Sequence, residues 1–223
     1  MTTGGSTSTG TGSSGSSGRA DANRRRIMDV ALAELLRDPD ASMDQIARAA
    51  GVVRRTVYGH FPNREALVAA LVDGAAEAVI EAHAAGRAGV DDPAEALARA
   101  TLAVWHIADR YRLLVALAQR SVTMAGIKQR LTPVREGCVA LLRRGQAEGA
   151  FRSPVPAAAL AYVHEQTLFA LMEAVNEGSL AAEDAGRAAA TTALLSAGVG
   201  VGDVESLLGR VGVGDAGDES VRG

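Results

Sequence analysis

Between Ser42 and Asn63 the stretch SMDQIARAAGVVRRTVYGHFPN leaves the chain few ways to fold. Ser42 and Gln45 have the spacing of a capping box, in which a hydroxyl and a side-chain amide sit opposite orphan backbone N–H groups at a helix start. A short helix then runs to Gly51, a residue suited to the left-handed position that ends helices. A second short helix is expected from about Val53 to His60. Pro62-Asn63 breaks the chain there and caps a longer helix starting near Arg64. Ile46, Ala47 and Ala50 can pack against Val52 and Val57, with Phe61 and Leu67 closing a small core, and the alanines let the two helices approach closely. Two short helices joined by a tight glycine-containing turn make a helix-turn-helix, whose second helix enters the major groove of DNA. Arg54, Arg55, Thr56, Tyr58 and His60 are left pointing outward, and these are donors suited to phosphate oxygens and base edges.

Helical spacing continues on both sides. Upstream, Ile27, Ala31 and Leu35, flanked by Met28, Leu32 and Leu36, recur at steps of four and form one apolar stripe. Pro39 stops that helix by disfavouring the α region at Asp38. Downstream, Asp92-Pro93-Ala94-Glu95 combines an N-cap, a proline at the first helical position and an early acid. Helices are expected at about 93–107, 109–120, 125–149, 156–177 and 182–197, with Pro133 kinking or restarting one of them. Residues 1–18 are Gly, Ser and Thr after the initiator methionine, with GSSGSSG at 12–18, and read as a disordered tail. From Gly198 the chain turns glycine-rich, and 201–223 reads as a flexible C-terminal tail. Alanine and leucine dominate an apolar fraction of 48%, so the fold class is all-α, in nine or ten helices.

Charge and chemistry narrow the function. The net charge of −3 conceals an asymmetry: residues 19–64 carry nine arginines against six acids, while 65–223 carry fourteen basic residues against twenty acids. A basic end on an acidic protein fits a nucleic-acid contact at that end. Arg24-Arg25-Arg26 reads equally as an arm near DNA or as a solvated helix face. The single cysteine, Cys138, excludes an intrachain disulfide and suits a reducing cytoplasm. No secretory signal and no apolar run of membrane length is found. His106 and His164 stand too far apart in sequence for a dedicated metal site, no phosphate-cradling or nucleophile-elbow motif is present, and no cofactor is expected. The glycines of 198–202 follow a helix rather than a strand, which argues against a dinucleotide loop.

These residues carry a resemblance to the TetR (tetracycline repressor) family, whose members show a pattern close to T-x-x-x-I-A-x-x-A-G-V-S-x-G-T-L-Y-x-H-F-x-x-K-E-x-L. Ile46-Ala47, Ala50-Gly51-Val52, Thr56, Tyr58, His60-Phe61 and Arg64-Glu65-x-Leu67 stand in register with it. A weaker echo at Arg144-Gly145-Gln146-Ala147-Glu148-Gly149-Ala150-Phe151-Arg152 is similar to the end of the family's seventh helix. The chain departs from the pattern at Val53, where Ser or Thr usually caps the recognition helix, at Arg55 in place of a small residue, and at Gly59 in place of a longer side chain. The resemblance implies that Thr56, Tyr58, His60 and Arg64 face DNA, and Ser42, Arg54 and Arg55 are expected to face it beside them. Arg64 would add its charge to a helix end that already attracts anions, and Arg55 is suited to reading guanine.

It also implies an organisation: a three-helix DNA-binding domain at 19–66, then a ligand-binding and dimerisation bundle at 67–200. The last two long helices would pair with those of a second copy, using Leu168, Leu171, Val175, Ala188, Ala189, Thr192 and Leu195. Trp105, His106, Tyr111, Met124, Tyr162, His164, Phe169 and Met172 gather most of the scarce aromatic and sulfur-bearing side chains, and they are the expected lining of an inducer pocket. The expected protein is a non-enzymatic, cytoplasmic and nucleoid-associated homodimer, a repressor released from palindromic double-stranded operator DNA by a small molecule. An activator, a regulator answering to a protein partner, and a helical enzyme or carrier are the alternatives.

Overall fold

The structure, a computed structural model, describes residues 14–118 and 122–215, with side chains over 18–118 and 122–212. The described residues form ten α-helices and no strand, divided into two compact units at Ala70/Leu71. The division falls four residues beyond the expected boundary, inside a helix.

The first unit holds α1 (Ser14–Arg37), α2 (Met43–Ala49), α3 (Arg54–His60) and the opening of α4 (Arg64–Arg87). Ile27, Ala31 and Leu35 are buried, as the stripe requires, against Ile46, Ala47, Ala50, Val57, Phe61 and Leu67. The expected tail at 1–18 needs correction where it can be followed. Ser14–Gly18 belong to α1, extending the helix although glycine and serine are poor helix formers. Residues 1–13 lie outside the described residues.

The second unit holds the rest of α4, then α5 (Pro93–Ala118), α6 (Met124–Arg130), α7 (Thr132–Ala147), α8 (Ala157–Asn176), α9 (Ala182–Ser196) and α10 (Val201–Asp215). Helix α5 packs against α7, α8, α9 and α10. It starts as its sequence demands, with Asp92 Oδ2 accepting from the Glu95 N–H at 3.1 Å. It does not break near residue 108. Asp109 bonds Arg112 along the helix surface at 2.9 Å instead of capping a new one, and nothing in Ala108-Asp109 breaks a helix. Pro133 does restart the chain, in the first turn of α7, where its missing N–H has no intrahelical partner to lose. Phe151 folds back over Gly145, where a Cβ would lie 2.1 Å from its ring, and its N–H donates to the Gly145 carbonyl at 3.0 Å. That contact explains the glycine and the phenylalanine of the 144–152 segment.

The flexible tail expected at 201–223 is overturned over 201–215, while residues 216–223 lie outside the described residues. Residues 201–215 are helical, and Val204, Leu207, Leu208 and Val211 bury one face in the same core as Leu97, Leu141 and Leu194. Steps of three and four among those residues carried the signal, under glycines that read as punctuation. Leu208→Ala therefore removes packed core atoms and should cost about 2–5 kcal/mol. Urea unfolding would measure it, and an unchanged midpoint would return the segment to the status of a tail.

Candidate functional site

Helix α2 begins in the expected capping box: the Gln45 N–H donates to Ser42 Oγ, and the Ser42 N–H donates to Gln45 Oε1 at 2.7 Å. It ends in a reciprocal pair of backbone bonds around Gly51, which has φ of 61°. The Gly51 N–H reaches the Arg48 carbonyl and the Val52 N–H the Ala47 carbonyl, both at 3.1 Å, so the turn is a Schellman motif. That turn sends the chain straight into α3. Val57 is fully buried under it, and the Asn63 carboxamide caps α4 by accepting from the Ala66 N–H at 2.7 Å. Val53 makes no side-chain cap and is 68% exposed, so α3 starts without one.

The expected DNA-facing residues separate into two groups. Arg55 is exposed, and Thr56, Tyr58 and His60 are half-buried on α3, with the His60 ring tilted 47° against Phe61. The others are engaged within the unit. Ser42 Oγ both accepts from Gln45 N–H and donates to Gln45 Oε1. Arg54 pairs with Asp44 at 2.9 Å and lies 5.0 Å over the Tyr58 ring, bracing α2 to α3. Arg64 donates to the Pro39 carbonyl. In the basic triplet, Arg24 stacks over Phe61 at 5.4 Å while Arg25 is exposed.

A second feature lies wholly in the second unit. A cavity of about 100 Å³ is walled by α4, α5, α6, α7 and α8. Its wall is mostly aliphatic, through residues such as Val72, Val79, Val104, Leu114, Ile127 and Val134, with Phe169 and Met172 from α8. His164, also expected there, lies in the wall, and the remaining residues expected there are elsewhere. Trp105 is buried against Met172, Ala185 and Ala189, and Gly186 lies beside its ring. His106 and Tyr162 are exposed, and Tyr111 and Met124 are half-buried outside the wall. Rarity drew attention to those side chains, but each points off a helix face turned away from the cavity.

The polar groups of the wall are His83, Thr101, Arg135, His164 and Glu165. Arg135 holds Glu165 with two bonds of 2.9 and 3.1 Å, and this hydrogen bonding raises the guanidinium pKa. Thr101 Oγ1 lies 3.3 Å from His164 Nε2, and His164 Nδ1 is buried without a hydrogen-bond partner. Burial pushes His164 down to about 4. His83 is pushed down to about 4 as well, by burial first and then by the charges of Arg87 and His164. Cys138, also in the wall, is pushed up to about 12 by burial. His83, Thr101, Arg135 and Glu165 carried no sequence signal, since each is an ordinary residue on an ordinary helix. Among the described residues no group of three or more His, Cys, Asp or Glu could hold a metal, and no helix is long and apolar enough to cross a membrane.

The expected pairing face of α8 and α9 also divides. Leu195 is 42% exposed and Thr192 is exposed, joined by Tyr162 and Val163. Ala189 is completely buried inside the chain, and Leu171 and Val175 pack on the Trp105 cluster, so these three serve the core. Leu168 packs there too and lines the cavity.

Residues 27–71 match the family model for bacterial regulatory proteins of the tetR family. The HTH-type transcriptional repressor LfrR of Mycolicibacterium smegmatis is 44% identical over 55 residues, 25% of this chain and 29% of that protein. The uncharacterized HTH-type transcriptional regulator TtgW of Pseudomonas putida is 52% identical over 44 residues, 19% of this chain and 33% of that one. The chain therefore matches no more than a third of the length of these curated relatives. Among solved structures, LfrR from Mycobacterium smegmatis in complex with proflavine has a TM-score of 0.62 at 23% identity, covering 80% of this chain and 97% of that one. The fatty acid degradation regulator FadR from Bacillus halodurans has a TM-score of 0.64 at 18% identity, covering 79% and 95%. At such identities the likeness is one of fold.

The two cavity histidines make stability depend on pH. Both native imidazoles are held near 4, below the ordinary 6.5. Between those values the unfolded chain binds protons that the native chain refuses. The histidine contribution is thus complete above about pH 6.5 and is lost as pH falls toward 4, by roughly 1–3 kcal/mol for each. Urea midpoints measured from pH 7.5 to 4.5 should fall across this window, and His83→Gln should flatten the fall. A fall of equal size in that variant would exclude His83 as a source.

Proposed function

We propose that the chain, whose residues 27–71 match the family model for bacterial regulatory proteins of the tetR family, is a member of that family and regulates transcription as a homodimer. It represses by occupying a palindromic operator and leaves that DNA when a small molecule enters the cavity of its second unit. One observation carries this reading. Helix α4 closes the helix-turn-helix core with Leu67 and Val68, and further along lines the cavity with Val72, Ala75, Ala76, Val79 and His83. A ligand that repositions those later residues acts on the helix whose first turns belong to the helix-turn-helix unit. To move the population from mostly bound to mostly free, the ligand must favour the released state by about 5 kcal/mol. Contact with α4 supplies a differential interaction of the kind that static filling of a hole does not.

On DNA, α3 is the recognition helix. Arg55 reads a guanine edge, while Tyr58, Thr56 and His60 meet backbone or bases beside it. Arg54 acts chiefly as the brace that sets Tyr58. Ser42 and Arg64 present their helix ends near the phosphates while their side chains hold the unit together. Apolar side chains on α8 and α9, namely Tyr162, Val163 and Leu195, form the pairing face with a second copy. Two copies then bind paired half-sites with the gain in effective concentration that tethering brings.

Selection of binding sites from a random duplex library followed by fluorescence anisotropy tests the DNA assignment. Arg55→Ala should relax preference at one position per half-site, removing about 1–3 kcal/mol of discrimination. Tyr58→Phe should weaken binding to all sequences alike, because a phosphate contact carries no base information. If both variants keep wild-type affinity and wild-type preference, α3 is not the reading helix. For the pairing face, Val163→Glu combined with Leu195→Glu should give a monomer by light scattering that has lost tight operator binding. A monomer that retains full affinity would exclude the dimer from the mechanism.

A further inference from the structure

The walls of the cavity restrict what can fill it. Its two formally charged residues face each other: Glu165 takes both bonds from Arg135, which also donates to the Lys128 carbonyl at 3.0 Å. Neither is left as a counter-ion for a guest. The other polar groups of the wall are the hydroxyl of Thr101 and two imidazoles, and the imidazoles are uncharged at neutral pH. Cys138 is a neutral thiol there for the same reason, since burial opposes its thiolate. An ion entering this space would lose its hydration and gain no opposite charge, which is the costly way to bury a charge.

The uncharged polar groups of the wall are under-used. Thr101 Oγ1 and His164 Nε2 share one long contact of 3.3 Å, and His164 Nδ1 is buried with no partner. A guest hydroxyl that joins the Thr101–His164 pair adds a hydrogen bond that this pair lacks. The remaining surface is aliphatic, with Phe169 as its aromatic side chain. The volume of about 100 Å³ is of the order of the roughly 150 Å³ apolar cavities that take up benzene.

We propose that the cavity selects an uncharged, mainly hydrocarbon molecule of about one ring in size, and that its single polar group is held by the Thr101–His164 pair. This rests on the ligand-responsive reading above and sharpens it to a chemical class. Organic cations and carboxylates of the same shape are excluded.

Calorimetric titration of the full chain at pH 7.5 with benzyl alcohol, toluene, benzoate and benzylammonium tests it. Benzyl alcohol should bind most tightly, toluene several-fold more weakly, and the two ions at least about tenfold more weakly than the alcohol. His164→Phe keeps a ring in place and removes both nitrogens. It should bring the alcohol down to the level of toluene while leaving toluene within about twofold. His164→Leu serves in its place if that variant does not fold. Either ion binding as tightly as the alcohol, no saturable binding of any probe, or an alcohol preference that survives the loss of His164 would each overturn the proposal. Operator affinity measured alongside keeps the two readings apart. Benzyl alcohol that binds as described yet leaves DNA affinity unchanged would sink the regulatory reading and leave the ligand class standing.

Discussion

Helices α5 and α9 lie side by side on small residues, with Ala98 from one and Ala189, Ala190 and Ala193 from the other buried between them. The same device joins α4 to α5, where a Cβ on Gly86 would stand 2.9 Å from the Ala100 backbone. Small side chains at a seam bring helix axes close and fix their angle, because close-packed interiors adjust poorly to added volume. The seams set where the larger residues must go. Trp105 can lie flat because Gly186 gives it room. Beside these seams, where α4, α5, α6, α7 and α8 meet through aliphatic side chains, the unfilled space between them is the cavity.

That dependence explains what could and could not be read from residues alone. The helix-turn-helix was legible to within a residue or two because its signals are local. Ser42 with Gln45, Gly51, Pro62-Asn63 and Asp92-Pro93 each satisfy or remove backbone groups within a turn of themselves. The continuity of α5 past Ala108 was not legible, since Asp109 has the composition of a cap and only its bond to Arg112 shows otherwise. Helix α10 was hidden because its glycines were weighed more heavily than the spacing of Val204, Leu207, Leu208 and Val211. The cavity was the least legible feature. Its lining is a property of which helix faces meet, and valine or alanine in a helical repeat announces nothing. Uncommon residues such as Trp105 and Tyr162 invite attention and serve other ends.

The two units handle charge in opposite ways. Around α3 the arginines are exposed or held at the surface, Arg54 by an exposed carboxylate and Arg24 over an aromatic ring, so their positive charge remains available to a polyanion. In the cavity wall itself charge is either matched in place or suppressed by burial: Arg135 against Glu165, His83 and His164 uncharged, Cys138 protonated. Surface charge acts at long range and is screened by salt, while the neutral interior acts only on contact. Salt concentration therefore reaches the first unit's binding far more than the second's.

The missing cap on α3 carries a kinetic consequence. The helix has seven residues, begins at an exposed Val53 whose side chain offers its orphan N–H groups nothing, and contains Gly59 in open space. Val57 and the Phe61 that follows are what pin it to the unit. Local opening of such a segment takes less free energy than unfolding the unit around it, so its amide hydrogens exchange with solvent ahead of those in α1 and α2. A segment that visits frayed states can make early, imperfect contacts with a duplex and tighten afterwards. If α3 is the reading helix proposed above, each encounter with a duplex forgoes some affinity to the entropy of ordering that helix.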